Sequence, residues 1–217
     1  GIGQGYNNFT MLQLALATSV IANDGVKMKP HLVKEVVDVV TRTSRETLRE
    51  IKAEAIADPK NIAVIKNALV GVNIEGTGAT AFRGAGYVAA GKTGTAQVVA
   101  IKANEKYNAA RMAERHRDHA LYMAFAPADQ PKIALAMVVE NAGFGGAVAA
   151  PITRRVFDYW LLGKSPTPED MAAVQKGQAG PPPSAARPPA SAASATLAAA
   201  GASASKPPEA VKPPTTP

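Results

Sequence analysis

Cysteine is absent from this sequence, and aromatic residues make up only 5% of its 217 positions. Without cysteine the chain can form no disulfide, no thiolate zinc site and no cysteine nucleophile. No window approaches the roughly 20 consecutive apolar residues of a membrane-spanning helix. The net charge is +7, but basic and acidic residues alternate and are not interleaved with aromatic rings, so we expect no nucleic-acid surface.

Proline and charge divide the chain into two unequal parts. Residues 1–164 hold 20 basic and 14 acidic residues but only five of the 17 prolines. Residues 165–217 hold the other twelve prolines and almost no aliphatic side chain larger than alanine. Because a segment with nothing to bury cannot offset the conformational entropy lost on folding, we predict a folded unit over 1–164 and a disordered Pro/Ala/Ser-rich tail over 165–217.

Two helices are predicted in the first part of the chain. A Thr-x-x-Gln capping box at Thr10 and Gln13 starts a helix that is apolar nearly all round from Met11 to Ile21, which indicates a buried helix. An Asp-Pro pair starts a second, amphipathic helix over 59–73. The polar residues 41–57 between them predict a solvated excursion with a helical turn.

Strand-like runs follow at 87–100, 121–126 and 133–139, and a last amphipathic helix is predicted over 147–162. The second and third runs are apolar on both faces, so we expect inner strands of a covered sheet. The strongly charged segment 102–119 predicts a solvated flap or helix. Strands joined by short connections favour an antiparallel sheet, and the fold class is therefore α+β with helices flanking the sheet.

Lys92-Thr93-Gly94-Thr95 carries the strongest chemical signal on the first predicted strand. The lysine supplies a point charge, the two hydroxyls are donors for a carboxylate, and the glycine lets a ligand backbone lie alongside the strand. These groups suit an anionic, extended, peptide-like ligand. A Lys-Thr-Gly tripeptide also occurs by chance, and on its own it fits an ordinary strand lysine beside a bulge glycine.

Further segments occur in order with this tetrad: the glycine-rich start, Gly-Thr-Gly at 76–78, the extended motif 91–97, and Lys-Ala-Asn-Glu running on to Arg-Asp-His over 102–119. Together they resemble the C-terminal part of the transpeptidase domain in the penicillin-binding protein 2 family, the class B enzymes of bacterial rod elongation. The resemblance covers approximately residues 1–162 and fades in the tail.

The resemblance implies roles for the matching positions. Lys92 would supply positive potential and help a proton relay, while the Thr93 and Thr95 hydroxyls would bind the terminal carboxylate of a stem peptide or a β-lactam. The Thr95 backbone N–H would form half of an oxyanion hole. The remaining substrate-binding positions are Gly94, which keeps the strand open, and Ala96 and Gln97, which extend it.

The nucleophile of such an enzyme is not found in this chain. The family's motifs are Ser-x-x-Lys, Ser-Asp-Asn and Lys-Thr-Gly, and only the last is convincingly present. A formal Ser-x-x-Lys at 203–206 lies in proline-rich coil and not at a helix start. A formal Tyr-x-Asn at 6–8 is also rejected, because the resemblance implies that the second motif lies upstream of the glycine-rich start. We therefore expect the serine upstream of Gly1, and we expect residues 1–217 alone to form no acyl-enzyme.

The resemblance implies a serine D,D-transpeptidase that cross-links peptidoglycan stem peptides ending in D-Ala-D-Ala, is acylated by β-lactams and needs no cofactor. It also implies elongation-machinery partners, among them a membrane glycosyltransferase, and a place at the periplasmic face of the bacterial inner membrane. Two alternatives stay open: a non-catalytic binding or scaffold module, and a serine β-lactamase-type hydrolase. The sheet would be incomplete, since its first strands precede the serine, and we expect residues 1–164 alone to be poorly soluble.

His116 and His119 flank Asp118 in the charged segment. Histidines in an arginine-rich polar stretch are usually solvated, and we predict no metal site there.

Overall fold

The computed structural model describes Gly5 and residues 7–53, 58–100 and 107–175, with side chains described as far as residue 172. Two single 3₁₀ turns lie at Ala109–Arg111 and Glu114–His116. The helices and strands are, in chain order, α1 (Met11–Ala22), β1 (Lys27–Met28), β2 (Glu35–Val37), β3 (Ser44–Glu46), β4 (Ile51–Ala53), α2 (Pro59–Ile74), α3 (Ala79–Phe82), β5 (Ala90–Ala96), β6 (His119–Ala126), β7 (Ile133–Val139), α4 (Ala149–Leu162) and α5 (Pro168–Gln175).

The main sheet has the order β5-β6-β7, and both pairs are antiparallel. Alternate side chains of β6 enter two separate cores, as a strand's period of two requires. Tyr122 packs with Phe157 of α4 on one face, whereas Phe125 packs with Ala22 of α1 and Val70 of α2 on the other. The sheet is thus covered by helices on both sides, and the predicted α+β class is confirmed.

The two apolar strands differ in position. β6 is the central strand, as predicted, but β7 lies at the edge of the sheet in the part of the chain that the structure describes, and its side chains are only part-buried. An apolar run alone does not distinguish an inner strand from an edge strand whose two faces are both covered by helices.

The first helix keeps its predicted cap but not its predicted burial. The Thr10 hydroxyl accepts from the Gln13 N–H, and the Gln13 side chain accepts from the Thr10 N–H, so the capping box is formed. Only Thr18 and Ala22 of α1 are buried, and Leu12 is 66% exposed. The prediction of a helix buried all round is wrong for these residues, since the contacts of α1 with β6, β7, α2 and β1 leave side chains such as Leu12 exposed.

In the described part of the predicted excursion 41–57, β3 and β4 pair antiparallel with the preceding strands β2 and β1, in place of the predicted helical turn. Every residue of β3 and β4 is exposed, which confirms the solvated character. Near β4, hydrogen bonds from the Lys29 and Lys52 ammonium groups lower the pKa of Glu50 to about 2.

Two further boundaries differ from prediction. The loop expected after α2 contains the short helix α3, and the strand expected over 87–100 is formed only over Ala90–Ala96. In the charged segment the described part holds two 3₁₀ turns, and residues 101–106 lie outside the described residues.

The predicted tail begins with a helix that packs on the folded unit. Asp170 of α5 is buried, and its carboxylate accepts a hydrogen bond of 2.6 Å from Arg155 Nε of α4. The same arginine donates from Nη1 to the Pro151 carbonyl at 2.8 Å. Disorder starting at residue 165 is therefore wrong for Pro168–Gln175, while residues 176–217 lie outside the described range.

A buried ion pair within α4 lies against the segment that leads into β5. Arg154 is 1% exposed, and its Nε lies 2.7 Å and 2.9 Å from the two carboxylate oxygens of Asp158. Its Nη1 also donates to the Ala81 and Arg83 carbonyls, each at 3.3 Å. Burial, followed by the negative charge of Asp158, raises the pKa of Tyr87, whose hydroxyl donates to that carboxylate at 2.8 Å. These contacts fix the chain that enters the candidate strand.

Candidate active site

Strand β5 carries five of the six residues that the sequence proposed for the site, Lys92 to Ala96. Gln97 follows the strand directly and is exposed. On its inner side β5 pairs with β6 along its whole length. On its outer side no other strand pairs with it among the described residues, and a strand edge of this kind is where an extended peptide can add as a further strand.

The strand register divides the site residues between two faces of the sheet. Lys92 is opposite Met123 and Thr93 is opposite Tyr122, so successive side chains point to opposite faces. Thr95 therefore shares the Thr93 face, while Gly94 shares the Lys92 face. A single ligand can contact the lysine and both threonines only if it lies along the outer edge of β5.

Lys92 is exposed, and its ammonium donates to the Thr93 carbonyl at 2.8 Å. The charge is thus held at the surface next to the strand backbone, and it forms no ion pair with a carboxylate of the described residues. A cation in this position contributes positive potential to the strand edge.

Thr93 has a partner that the sequence did not single out as a site residue. Its Oγ1 lies 2.7 Å from the Thr77 Oγ1, in the Gly-Thr-Gly turn between α2 and α3. Both glycines are needed for this turn to lie so close to the end of α2. A Cβ on Gly76 would lie 2.8 Å from Val72 Cα, and one on Gly78 would collide with the Asn73 side chain.

A buried hydrogen-bonded pair anchors the end of α2 to the sheet. The Tyr122 hydroxyl donates to Asn73 Oδ1 at 2.6 Å, and Asn73 Nδ2 donates to the Ala89 carbonyl at 3.0 Å. Burial raises the pKa of Tyr122. Gly91 makes this contact possible, because a Cβ there would lie 2.7 Å from Tyr122 Cζ. The glycine before Lys92 therefore makes room for the tyrosine ring.

We predict that Tyr122→Phe lowers the free energy of unfolding by about 1–3 kcal/mol, because it leaves the buried Asn73 Oδ1 without its donor. Thermal unfolding of the intact purified gene product measures the effect. Tyr107→Phe is a matched control, because Tyr107 is only part-buried and its hydroxyl accepts a long, 3.3 Å hydrogen bond from the Asp118 N–H. Equal stability of the two variants would contradict the anchoring role of Tyr122.

A second glycine loop packs on the site from the start of α4. A Cβ on Gly145 would collide with the Leu121 and Gly94 carbonyls and lie 3.1 Å from the Gly94 nitrogen. One on Gly146 would lie 2.7 Å from the Thr77 carbonyl oxygen. The Gly145 loop thus packs closely against Gly94. Gly94 therefore has a packing contact within the chain, in addition to the role in ligand alignment that the sequence suggested.

The histidines of the charged segment have structural partners. His119 Nδ1 accepts from the Asn141 N–H at 2.9 Å, and His116 Nε2 accepts from Arg115 Nε at 3.3 Å. Asp118 between them is buried. Over the described ranges no three potential ligands come close enough to hold a metal ion.

None of the helices in the described part of the chain is both long enough and apolar enough to cross a bilayer.

Sequence reasoning missed three residues that shape the site: Thr77, Asn73 and Tyr122. One signal was present, since Asn73 occupies a position on α2 where the helical period of Ile62, Leu69 and Val70 calls for an apolar side chain. A buried polar residue needs a hydrogen-bond partner, but the sequence does not say which one it finds.

The fold and the residue pattern both match a known family. A family model described as the penicillin-binding protein transpeptidase domain matches residues 1–158. Since that is well over half of the chain, the chain belongs to the penicillin-binding protein transpeptidase family.

Within this family the chain is similar to peptidoglycan D,D-transpeptidase MrdA. The Haemophilus influenzae protein is 42% identical over 173 residues, which are 78% of this chain and 26% of that protein. The Escherichia coli K12 protein is 38% identical over 169 residues, which are 77% of this chain and 26% of that protein. The chain therefore spans about a quarter of the length of these relatives.

Solved structures show the same relationship. PBP2 of Pseudomonas aeruginosa in complex with WCK 5153 superposes with a TM-score of 0.58 at 34% identity, over 77% of this chain and 33% of that one. Penicillin-binding protein A of M. tuberculosis, as a ceftriaxone acyl-enzyme, gives a TM-score of 0.58 at 34% identity, over 74% of this chain and 34% of that one. The predicted penicillin-binding transpeptidase fold is confirmed.

Proposed function

We propose that this chain is the C-terminal part of a peptidoglycan D,D-transpeptidase and supplies one wall of its active site. The observation that carries the proposal is the Lys92-Thr93-Gly94-Thr95 sequence on a strand whose outer edge has no strand partner among the described residues, in a chain of the transpeptidase family. Relatives 38–42% identical bear the name of this activity.

In the proposed reaction a serine supplied by the rest of the protein attacks the carbonyl between the last two D-Ala residues of a stem peptide. The C–N bond breaks, the terminal D-Ala leaves with the proton on its amine, and an acyl-enzyme remains. An amine of a neighbouring strand then takes the acyl group and frees the serine. As the resemblance implies, the proposed reaction would need no metal or organic cofactor.

The β5 residues would stabilise this chemistry at the strand edge. Lys92 would raise the positive potential and support proton transfer, and the Thr95 N–H would donate to the developing oxyanion. The Thr93 and Thr95 hydroxyls would donate to the substrate carboxylate. Gly94, Ala96 and Gln97 would lie along the peptide backbone. A ligand along the outer edge is also the placement that the division of side chains between the two faces requires.

β-Lactams are proposed ligands of the same strand edge. The M. tuberculosis relative is described as an acyl-enzyme with ceftriaxone, and the P. aeruginosa relative as a complex with WCK 5153. Both are 34% identical to this chain over the matched region.

The cellular setting is proposed from the family. A relative from Helicobacter pylori, 26% identical with a TM-score of 0.55, is described as a complex between PBP2 and MreC. That description supports a protein partner for the intact product. Elongation-machinery proteins, including a membrane glycosyltransferase, and the periplasmic face of the inner membrane complete the proposal.

Fluorescent penicillin labelling of the native gene product in membranes of the source cell tests the proposal. We expect a stable labelled band much larger than 22.4 kDa on a denaturing gel. No label on a band shown to be the product would favour a scaffold module, and label lost within minutes would favour a β-lactamase-type hydrolase. Either result would overturn the transpeptidase function.

A further inference from the structure

We infer that Thr77 is a positioning residue of this site, whose hydroxyl orients the Thr93 hydroxyl toward the carboxylate of an extended peptide or a β-lactam. The inference rests on the proposed function, because Thr93 is the group that would meet the carboxylate. Thr77 lies outside the Lys-Thr-Gly strand, in the turn between α2 and α3.

The distance between the two hydroxyls defines a direct hydrogen bond. Thr77 Oγ1 and Thr93 Oγ1 are 2.7 Å apart, which is the preferred length for an O–H···O bond. Each hydroxyl has one hydrogen to donate, and an ionised carboxylate only accepts. A carboxylate at Thr93 therefore selects one direction: Thr77 donates to Thr93, and Thr93 donates to the ligand. The first bond polarises the second and strengthens it.

The backbone holds Thr77 in place before any ligand arrives. The Gly78 N–H donates to the Val72 carbonyl at 3.0 Å, and the Ala79 N–H donates to the Gly76 carbonyl at 3.1 Å. These bonds tie the turn to the end of α2, which the Asn73–Tyr122 pair anchors to the sheet. The donor is thus preorganised, and little entropy is lost when a ligand binds.

The loop before α4 restrains Thr93 and Thr77 together. A Cβ on Gly146 would lie 2.7 Å from the Thr77 carbonyl oxygen and 3.6 Å from Thr93 Cγ2. A side chain at position 146 would therefore clash with the Thr77 carbonyl and reach ordinary contact distance from the Thr93 methyl group, so the loop lies beside both residues. With its methyl group on this side, the Thr93 hydroxyl is left to face Thr77 and the ligand.

A purely structural role for Thr77 makes a different prediction from a positioning role. If the bond only stabilises the turn, its loss affects acylation by every β-lactam equally. If it orients the Thr93 hydroxyl, its loss affects only ligands that carry a free carboxylate. A penicillin and its methyl ester separate the two, because esterification removes the charge that Thr93 would meet and leaves the reactive ring unchanged.

The experiment measures second-order acylation rate constants of the intact gene product with a fluorescent penicillin and its methyl ester. We expect Thr77→Val to slow acylation by the acid about five- to tenfold and to leave the ester rate unchanged. Thr77→Ser keeps the hydroxyl and should restore the acid rate to within about twofold. Thr80→Val, at an exposed position of α3, is the matched control and should leave both rates unchanged.

The ratio of acid to ester rates is taken within one preparation, so a smaller folded fraction cancels from it. Thr77→Ala is a second hydroxyl-deleting variant if valine is not accepted in the turn. Equal slowing of acid and ester, no slowing by either deletion, or no rescue by serine would overturn the role of Thr77 while leaving the transpeptidase proposal intact. A wild-type protein that the acid does not label would overturn the transpeptidase proposal itself.

Discussion

Lys92→Ala should reduce the rate of acylation of the intact gene product by a β-lactam about 100-fold or more. A positioned charge or proton-transfer group at an acylation site typically contributes this much, since it acts mainly on the transition state. The fold should be little affected, because Lys92 is exposed and donates one hydrogen bond to the neighbouring Thr93 carbonyl. Acylation rates and melting temperatures of the same preparations measure the two effects separately.

Lys132→Ala is the control for this substitution. Lys132 is also exposed, but it lies in the turn between β6 and β7 at the far end of the strand pair from His119. We expect wild-type acylation for this variant. If Lys92→Ala were labelled as fast as Lys132→Ala, then Lys92 would have no part in acylation, and β5 would be a binding surface only.

The sequence predicted well those elements whose signals lie within a few residues of one another. The Thr10–Gln13 capping box forms as expected, and the Asp58 side chain caps α2 with Pro59 in its first turn. The sequence predicts a strand for residues 92–95, and these residues lie on β5. Each of these depends on local backbone chemistry, which a single sequence contains.

The partners of the site residues could not be predicted in the same way. Asn73 and Tyr122 are 49 residues apart in the chain, and Thr77 and Thr93 are 16 apart. Which side chains meet over such distances depends on how α2 packs on the sheet, and residue types alone do not determine that. The glycines gave an indirect signal, because several mark places where backbone approaches another element too closely for a Cβ.

Burial was the weakest of the sequence predictions. The apolar character of α1 predicted complete burial, yet Leu12 is largely exposed. Conversely, Arg154 and Asp158 are polar and fall on a helix predicted to be amphipathic, but both are buried. Burial reflects which surfaces are covered by distant parts of the chain, and charged residues can be buried when they are paired.

Asp158→Ala should lower the free energy of unfolding by about 3–5 kcal/mol, which makes it the most destabilising single substitution that we predict. It removes the only carboxylate in contact with the buried Arg154 among the described residues, and it also removes the acceptor of the Tyr87 hydroxyl. Thermal unfolding of the intact purified gene product measures the loss. Asp129→Ala is the control, since Asp129 is exposed in the β6–β7 turn and should change stability by less than about 0.5 kcal/mol.

A double substitution shows whether the unpaired charge causes the loss. Replacing Arg154 with methionine in the Asp158→Ala background removes the buried charge, so stability should rise above that of the single variant. It should not return to the wild-type value, because the Ala81 and Arg83 carbonyls lose the donors that Arg154 supplied. If the double variant were less stable than Asp158→Ala alone, the unpaired charge would not be the cause of the loss, and Arg154 would stabilise the approach to β5 mainly through its bonds to those carbonyls.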